Sequence, residues 1–147
     1  LYWVSAGAML IGSTITGHCR LVCETFDGPE FWNYIQKYKP CFVMLTPVQA
    51  IEALANVRKD VDVQCVLNFT VIGSSISKEY LFKVLETFPN AHLGAGYGQT
   101  EVCGPLTMLV PNDKHHAVLR ANPDKIETAG VPVRGTSYKV LTLIYIF

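Results

Sequence analysis

Charge is scarce in this chain. Of its 147 residues only 16% are Asp, Glu, Lys or Arg, and twelve of each sign cancel to a formal net charge of zero. There is no basic run; Lys37 and Lys39 stand apart around Tyr38. Electrostatic steering toward nucleic acid or an anionic membrane therefore has no basis in the sequence. Long apolar runs are missing too. Residues 4–17 are apolar with glycines and threonines, but they stop short of the roughly 18 residues that cross a bilayer. They also lack the basic flank of a signal peptide, and they read as a buried helix. The five cysteines, at 19, 23, 41, 65 and 103, form no Cys-x-x-Cys pair. Their odd number argues for free thiols used mostly as small core fillers in a reducing compartment. His18 with Cys19 and Cys23 has no second ligand pair to complete a metal site. No Ser-His-Asp or Cys-His arrangement, internal repeat or low-complexity tract is visible.

What is present is apolar periodicity. Half of the residues are hydrophobic, enough for one core. Asp27, Pro29 and Glu30 read as a helix start with a capping box. Phe31, Tyr34, Ile35 and Tyr38 repeat at helical spacing up to Pro40. Arg20–Cys23 reads as a short strand and residues 41–45 as a second. Pro47 opens a helix with Ile51, Leu54 and Ala55 on one face. Residues 66–72 read as a strand ended by Gly73. Ser77 is placed to cap a helix with an apolar face of Leu81, Val84, Leu85 and Phe88. Residues 91–93 read as one more short strand. Strands alternating with amphipathic helices predict an α/β fold with a mostly parallel sheet covered by helices. From Thr107 the pattern weakens: residues 111–113 and 122–124 read as turns, and His115 and His116 as solvated loop.

The densest chemistry lies in Gly94-Ala-Gly-Tyr-Gly-Gln-Thr-Glu101. Glycines let backbone come close to a ligand. Thr100 offers a hydroxyl beside backbone amides that can face an anion. Glu101 supplies a carboxylate oxygen of the kind that holds Mg²⁺. Tyr97 can stack on a flat base. On the residues alone, a turn that only connects elements remains the rival. In open α/β sheets, however, ligands sit outside the C-terminal ends of strands, and both Gly73 and residues 96–101 are predicted there.

Tyr97-Gly-Gln-Thr-Glu101 resembles the Tyr-Gly-x-Thr-Glu motif of the adenylate-forming enzymes, which comprise acyl- and aryl-CoA synthetases, insect luciferases and peptide-synthetase adenylation domains. Phe26–Phe31, Ile35–Pro40, Thr46-Pro47, Gly73–Glu79 and Gly130–Gly135 resemble further segments of that family in the same order. The similarity runs from about residue 3 to residue 140 and is nearest to the luciferase-like and fatty-acyl-CoA synthetase branch. It implies that a carboxylic acid, fatty or aromatic, is activated with ATP as an acyl-adenylate and passed to coenzyme A. It also implies a partial large N-terminal domain, with an α/β layer over residues 1–105 and the start of a β-rich region over 106–147. A luciferase-like monooxygenase, another adenylating ligase, and a catalytically silent adenylate-binding or interaction protein are the alternatives.

By that resemblance Thr100 and Glu101 are the catalytic pair, with Glu101 on Mg²⁺ and Thr100 at the phosphates. Gly73, Ser74, Gly96, Tyr97, Gly98 and Gln99 join Thr100 around the ATP or AMP. Tyr97 lies against adenine and Gln99 near the entry of the acyl tail. The sequence also departs from the family: Ile72 stands where a second glycine is common, and Ser75 replaces a proline that stiffens the turn. Trp3 falls near a histidine-rich luciferase segment and cannot move a proton, which favours acyl activation over light emission. No Pro-Lys-Gly phosphate loop is present. The family's ribose-binding Thr-Gly-Asp segment and catalytic lysine would follow residue 147. Both ends are apolar and read as cuts through a larger protein, so the 147-residue chain alone is expected to be inactive and sticky. The branch's peroxisomal signals leave peroxisome and cytoplasm as the expected compartments.

Overall fold

A computed structural model describes residues 4–138. The expectations for Trp3 and for the apolar tail 140–147 lie outside the described residues. The element order is α1 (Val4–Thr16), α2 (Gly28–Tyr38), β1 (Phe42–Leu45), α3 (Pro47–Ala55), β2 (Asn68–Val71), α4 (Lys78–Thr87), β3 (His92–Gln99), β4 (Gly104–Leu109), α5 (Asp113–Ala121) and β5 (Val131–Pro132), with short 3-10 turns at 100–102 and 123–125. The five strands form one sheet in the order β1-β2-β3-β4-β5. β1, β2 and β3 run parallel. β3–β4 and β4–β5 are antiparallel. The architecture is the expected α/β one, with its parallel part confined to the first three strands.

Local chemistry explains the helices around that parallel part. Asp27 Oδ1 accepts from the Glu30 amide at 3.0 Å, and proline fills the first turn of α2. The expected box does not close: Glu30 Oε2 turns to Asn33 Nδ2 instead. The complete box belongs to α3. There Gln49 Oε1 accepts from the Thr46 amide at 2.9 Å and the Thr46 hydroxyl accepts from the Gln49 amide. α3 buries Pro47, Ala50 and Ala53, a rotation from the expected stripe, and Ala55 is exposed. The small alanines let α2 approach, and Trp32 Nε1 donates to the Ala53 carbonyl at 2.9 Å.

The core follows from strand register. Val43 pairs with Phe69 and Phe69 with Leu93; Leu45 pairs with Val71 and Val71 with Ala95. These two rows share one face of the sheet. Trp32 and Phe88 close over that face, stacked at 5.6 Å and 4°, with Phe69 5.2 Å from Phe88. All three are essentially inaccessible. The opposite face carries Asn68 and His92 and is covered in part by α5, whose Asp113 pairs with His92 Nε2 at 3.1 Å.

Several expectations are corrected. α1 forms but buries none of its residues, and Ile15 is 79% exposed. Leu10 and Ile11 are exposed as well, since little of the described chain packs against this helix; Arg20 Nη1 ties it down by donating to the Ala6 carbonyl at 2.9 Å. Arg20–Cys23 has strand-like residues but pairs with no strand among the described residues, and it is irregular. The cysteines are free as expected, but they are not core fillers: Cys19, Cys23, Cys41 and Cys103 are exposed, and only Cys65 is half-buried. Burial pushes the Cys65 thiol up from its ordinary value. His115 and His116 belong to α5, not to a loop. Asn112, expected in a turn, caps that helix by accepting from the His115 amide at 2.9 Å. Residues 123–125 form a 3-10 turn.

Candidate functional site

The parallel strands end together. Leu45, Val71 and Ala95 are register partners, so the residues that leave this edge are Thr46, Ile72-Gly73 and Gly96-Tyr97. Gly73 takes φ +102, which β-carbon-bearing residues avoid, and turns the chain away from the sheet. A Cβ built on Gly73 would lie 3.7 Å from Thr46 Cγ2. The β1 and β2 exits are therefore neighbours, and the Ile72 amide donates to the Leu45 carbonyl at 3.1 Å. In the sequence Thr46 stands out only as part of the Thr46-Pro47 resemblance; its place at the same edge as Gly73 depends on pairing that the local sequence does not spell out. Ser74, Ser75 and Ser77 are exposed beyond Gly73.

The glycine segment is not a turn. β3 continues through Gly94, Gly96 and Gly98 to Gln99, past the end of β2, because β4 pairs with it on the other side. None of these three glycines has a positive φ. Gly98 is required by strand approach. A Cβ there would collide with the Gly104 carbonyl and come within 2.8 Å of Pro105 Cα. The register shifts between Tyr97, opposite Thr107, and Gly98, opposite Pro105. Leu106 is the extra residue of a bulge next to a proline that has no amide to give the ladder.

The hairpin presents the functional candidates outward. Tyr97 shares the strand phase of Leu93 and Ala95, the face on which α4 packs, yet it is 53% exposed. Its amide donates to the Thr107 hydroxyl at 3.2 Å. Gln99 pairs with Gly104. Between them the tip is Thr100-Glu101-Val102 in a 3-10 turn, closed by Cys103 at φ +57, whose amide donates to the Thr100 carbonyl at 3.0 Å. Thr100 and Glu101 are both exposed. Hydroxyl and carboxylate are hard oxygen donors on adjacent residues, a donor set that fits Mg²⁺ and phosphate chemistry. The predicted site residues thus fall into two groups, 73–74 after β2 and 96–101 along and past the end of β3, both beyond the last parallel pair Val71–Ala95. A cavity of about 390 Å³ lies elsewhere, between β4, α5 and the segment 124–131, and none of the predicted site residues lines it.

The fold is an α/β sheet with three parallel strands, an architecture whose ligands generally sit outside the carboxyl ends of those strands. Comparison with known proteins is more particular. The model of the AMP-binding enzyme family matches residues 1–142. Among curated relatives, 4-coumarate–CoA ligase 2 of Nicotiana tabacum is 27% identical over 138 residues, 93% of this chain and 24% of its own length. The 2-succinylbenzoate–CoA ligase of Arabidopsis thaliana is 28% identical over 112 residues, 74% of this chain and 19% of its own. Among solved structures, the luciferase-like enzyme of the nonluminescent Zophobas morio mealworm superposes with TM-score 0.79 at 25% identity, covering 91% of this chain and 31% of that one. The O-succinylbenzoate coenzyme A synthetase of Bacillus subtilis, in complex with ATP and magnesium ion, does so with TM-score 0.72 at 17% identity, over 91% and 26%. The chain belongs to the AMP-binding enzyme family. It spans about a quarter of the length of the curated relatives it matches.

Proposed function

We propose that the gene product carrying this sequence activates a carboxylic acid with ATP and passes the acyl group to coenzyme A. The observation that carries this reading is the Tyr97–Glu101 hairpin standing beyond the same strand ends as Gly73. Named relatives that are CoA ligases of 4-coumarate and 2-succinylbenzoate favour an aromatic acid over a purely aliphatic one. In the first step a carboxylate oxygen bonds to the α-phosphorus of ATP while the bond to pyrophosphate breaks. In the second, the thiol sulfur bonds to the acyl carbon, AMP leaves, and the thiol proton goes to solvent.

Each residue has a defined task in this scheme. Tyr97 lays its exposed ring along one side of adenine, and Gly73 with Ser74 forms the other side. Gly96 and Gly98 keep the backbone between them free of side chains. Thr100 donates its hydroxyl to the phosphate region, and Gln99 faces the incoming acyl group. Glu101 would hold Mg²⁺, which would supply neutralisation of the charge that develops on the phosphate oxygens. The likeness to a luciferase-like enzyme keeps a second reading, in which the same adenylate is oxidised by dioxygen instead of transferred to a thiol.

Exchange of labelled pyrophosphate into ATP, run with coumarate, succinylbenzoate and fatty acids in turn, tests the first step. Acid-dependent exchange is expected. Exchange followed by thioester formation with coenzyme A supports the ligase. Light or oxygen uptake in place of thioester supports the second reading. No exchange with any acid would leave a silent adenylate-binding protein.

A further inference from the structure

The Gly73–Ser77 loop is the softer wall of the proposed nucleotide site. Its residues are exposed apart from half-buried Ile76, and Ser75 supplies none of the stiffness of a proline. Ser77 has the extended backbone of an N-cap, φ −70 and ψ 150, but its side chain accepts no hydrogen bond from the helix, contrary to the role read for it in the sequence. The start of α4 is held from elsewhere. The Lys78 amide donates to Glu127 Oε1 at 2.9 Å, across 49 residues of chain.

Glu127 sits on a firm mount. Ile126, immediately before it, is 3% exposed and belongs to the core cluster. The Ile126 amide donates to the Pro123 carbonyl at 3.2 Å and the Thr128 amide to the Lys125 carbonyl at 3.0 Å. Three residues on, Gly130 lies so close against the Met108–Leu109 peptide of β4 that no side chain fits. β4 is also the strand that pairs with the Tyr97–Gln99 segment. Through Glu127, the segment beside β4 therefore grips the first turn of α4, and the loop leading into that turn is fixed relative to the hairpin. A carboxylate at a helix N-terminus is favourable in charge as well as in hydrogen bonding.

We propose that Glu127 is a positioning residue for the adenylate site. It acts through Lys78 and the start of α4 to hold Gly73–Ser74 at a fixed distance from Tyr97, in place of the proline and the Ser77 cap that this loop lacks. The inference rests on the reading that Gly73–Ser74 and Tyr97 flank the nucleotide. Glutamine at this position keeps the accepting oxygen; alanine removes it.

The test compares Glu127→Ala and Glu127→Gln in the gene product by ATP kinetics and by hydrogen exchange without nucleotide. Glu127→Ala is expected to raise KM for ATP about fivefold, the size of a lost helix cap, with kcat within about twofold. Exchange across residues 74–80 should accelerate. Glu127→Gln should restore both. A cap that matters only to stability would lower the unfolding midpoint of Glu127→Ala while leaving KM for ATP unchanged, and that result overturns the proposal. Equal behaviour of the alanine and glutamine variants overturns it as well. Unchanged exchange at 74–80 in Glu127→Ala would show that the grip itself is absent. A wild type that binds and turns over no ATP would defeat the functional reading, and with it the role in the site, while exchange still decides whether the grip exists.

Discussion

The sheet has two halves that spend their residues differently. Across β1 and β2 every second side chain is buried, and Trp32, Phe69 and Phe88 lock α2, α4 and the sheet into one apolar block. Across the end of β3 and through β4 and β5 glycine and proline interrupt the strands, apolar side chains such as Met108 and Val131 stay exposed, and only Leu109 is buried. The first half supplies folding free energy. The second presents exposed chemistry on a hairpin that the first half aims. Stability and function should therefore separate under mutation.

The largest effect should come from Trp32→Ala in the first half. It removes the stack on Phe88, the edge contact with Phe31 and the hydrogen bond to Ala53. Urea unfolding should show a loss of about 3–5 kcal/mol; a loss below about 1 kcal/mol would place the core elsewhere. Next comes Glu101→Gln at the hairpin tip. Adenylate formation should fall on the order of 10²-fold with a weaker response to Mg²⁺, while the unfolding free energy stays within about 0.5 kcal/mol. Unchanged turnover with unchanged metal dependence would remove Glu101 from the site. Gly98→Ala probes the boundary between the halves. Its Cβ would push on Gly104 and Pro105, so it should cost about 1–3 kcal/mol, read as faster hydrogen exchange in β4 with the β1–β2 pairing unaffected.

The smallest effect is pH dependence, and it belongs to the first half. The Arg58 guanidinium holds the Asp60 carboxyl below its ordinary value. The Gln64 amide, then Lys39, does the same for Asp62, and Lys83 for Glu79. Each binds fewer protons folded than unfolded, so its contribution is present at neutral pH and fades as pH falls through the lowered folded-state values. All three groups are exposed, so the slope should be shallow and weaker in salt. Asp62→Asn should flatten the acid limb of a Tm-against-pH curve; an unaltered limb would deny the pair a role.

The contrast also explains what was legible in the sequence. Phe31, Ile35, Val84 and Phe88 fall on helical periods that burial enforces, so α2 and α4, with β1 and β2 between them, are read almost in place, while β3 is read only at its start. α5 is hidden because Asp113-Lys-His-His116 is polar and its start, Pro111-Asn112, has the composition of a turn; only Leu119 of its buried side betrays it. Glycines 94, 96 and 98 suggest a loop, but they serve a strand: a Cβ would meet Thr70 at Gly94, the Thr107 carbonyl at Gly96, and Gly104 with Pro105 at Gly98. Thr46 beside Gly73, and Glu127 at Lys78, depend on contacts between distant segments, which no local pattern encodes. The motif's identity was legible; its support was not.

Hydrogen exchange of the gene product with and without AMP and Mg²⁺ tests the central claim most directly. Protection is expected at residues 73–77 and 96–101 together, with α1 and α5 unchanged. Protection at only one of the two segments, or protection confined to the cavity beside α5, would contradict a nucleotide site built across these strand ends.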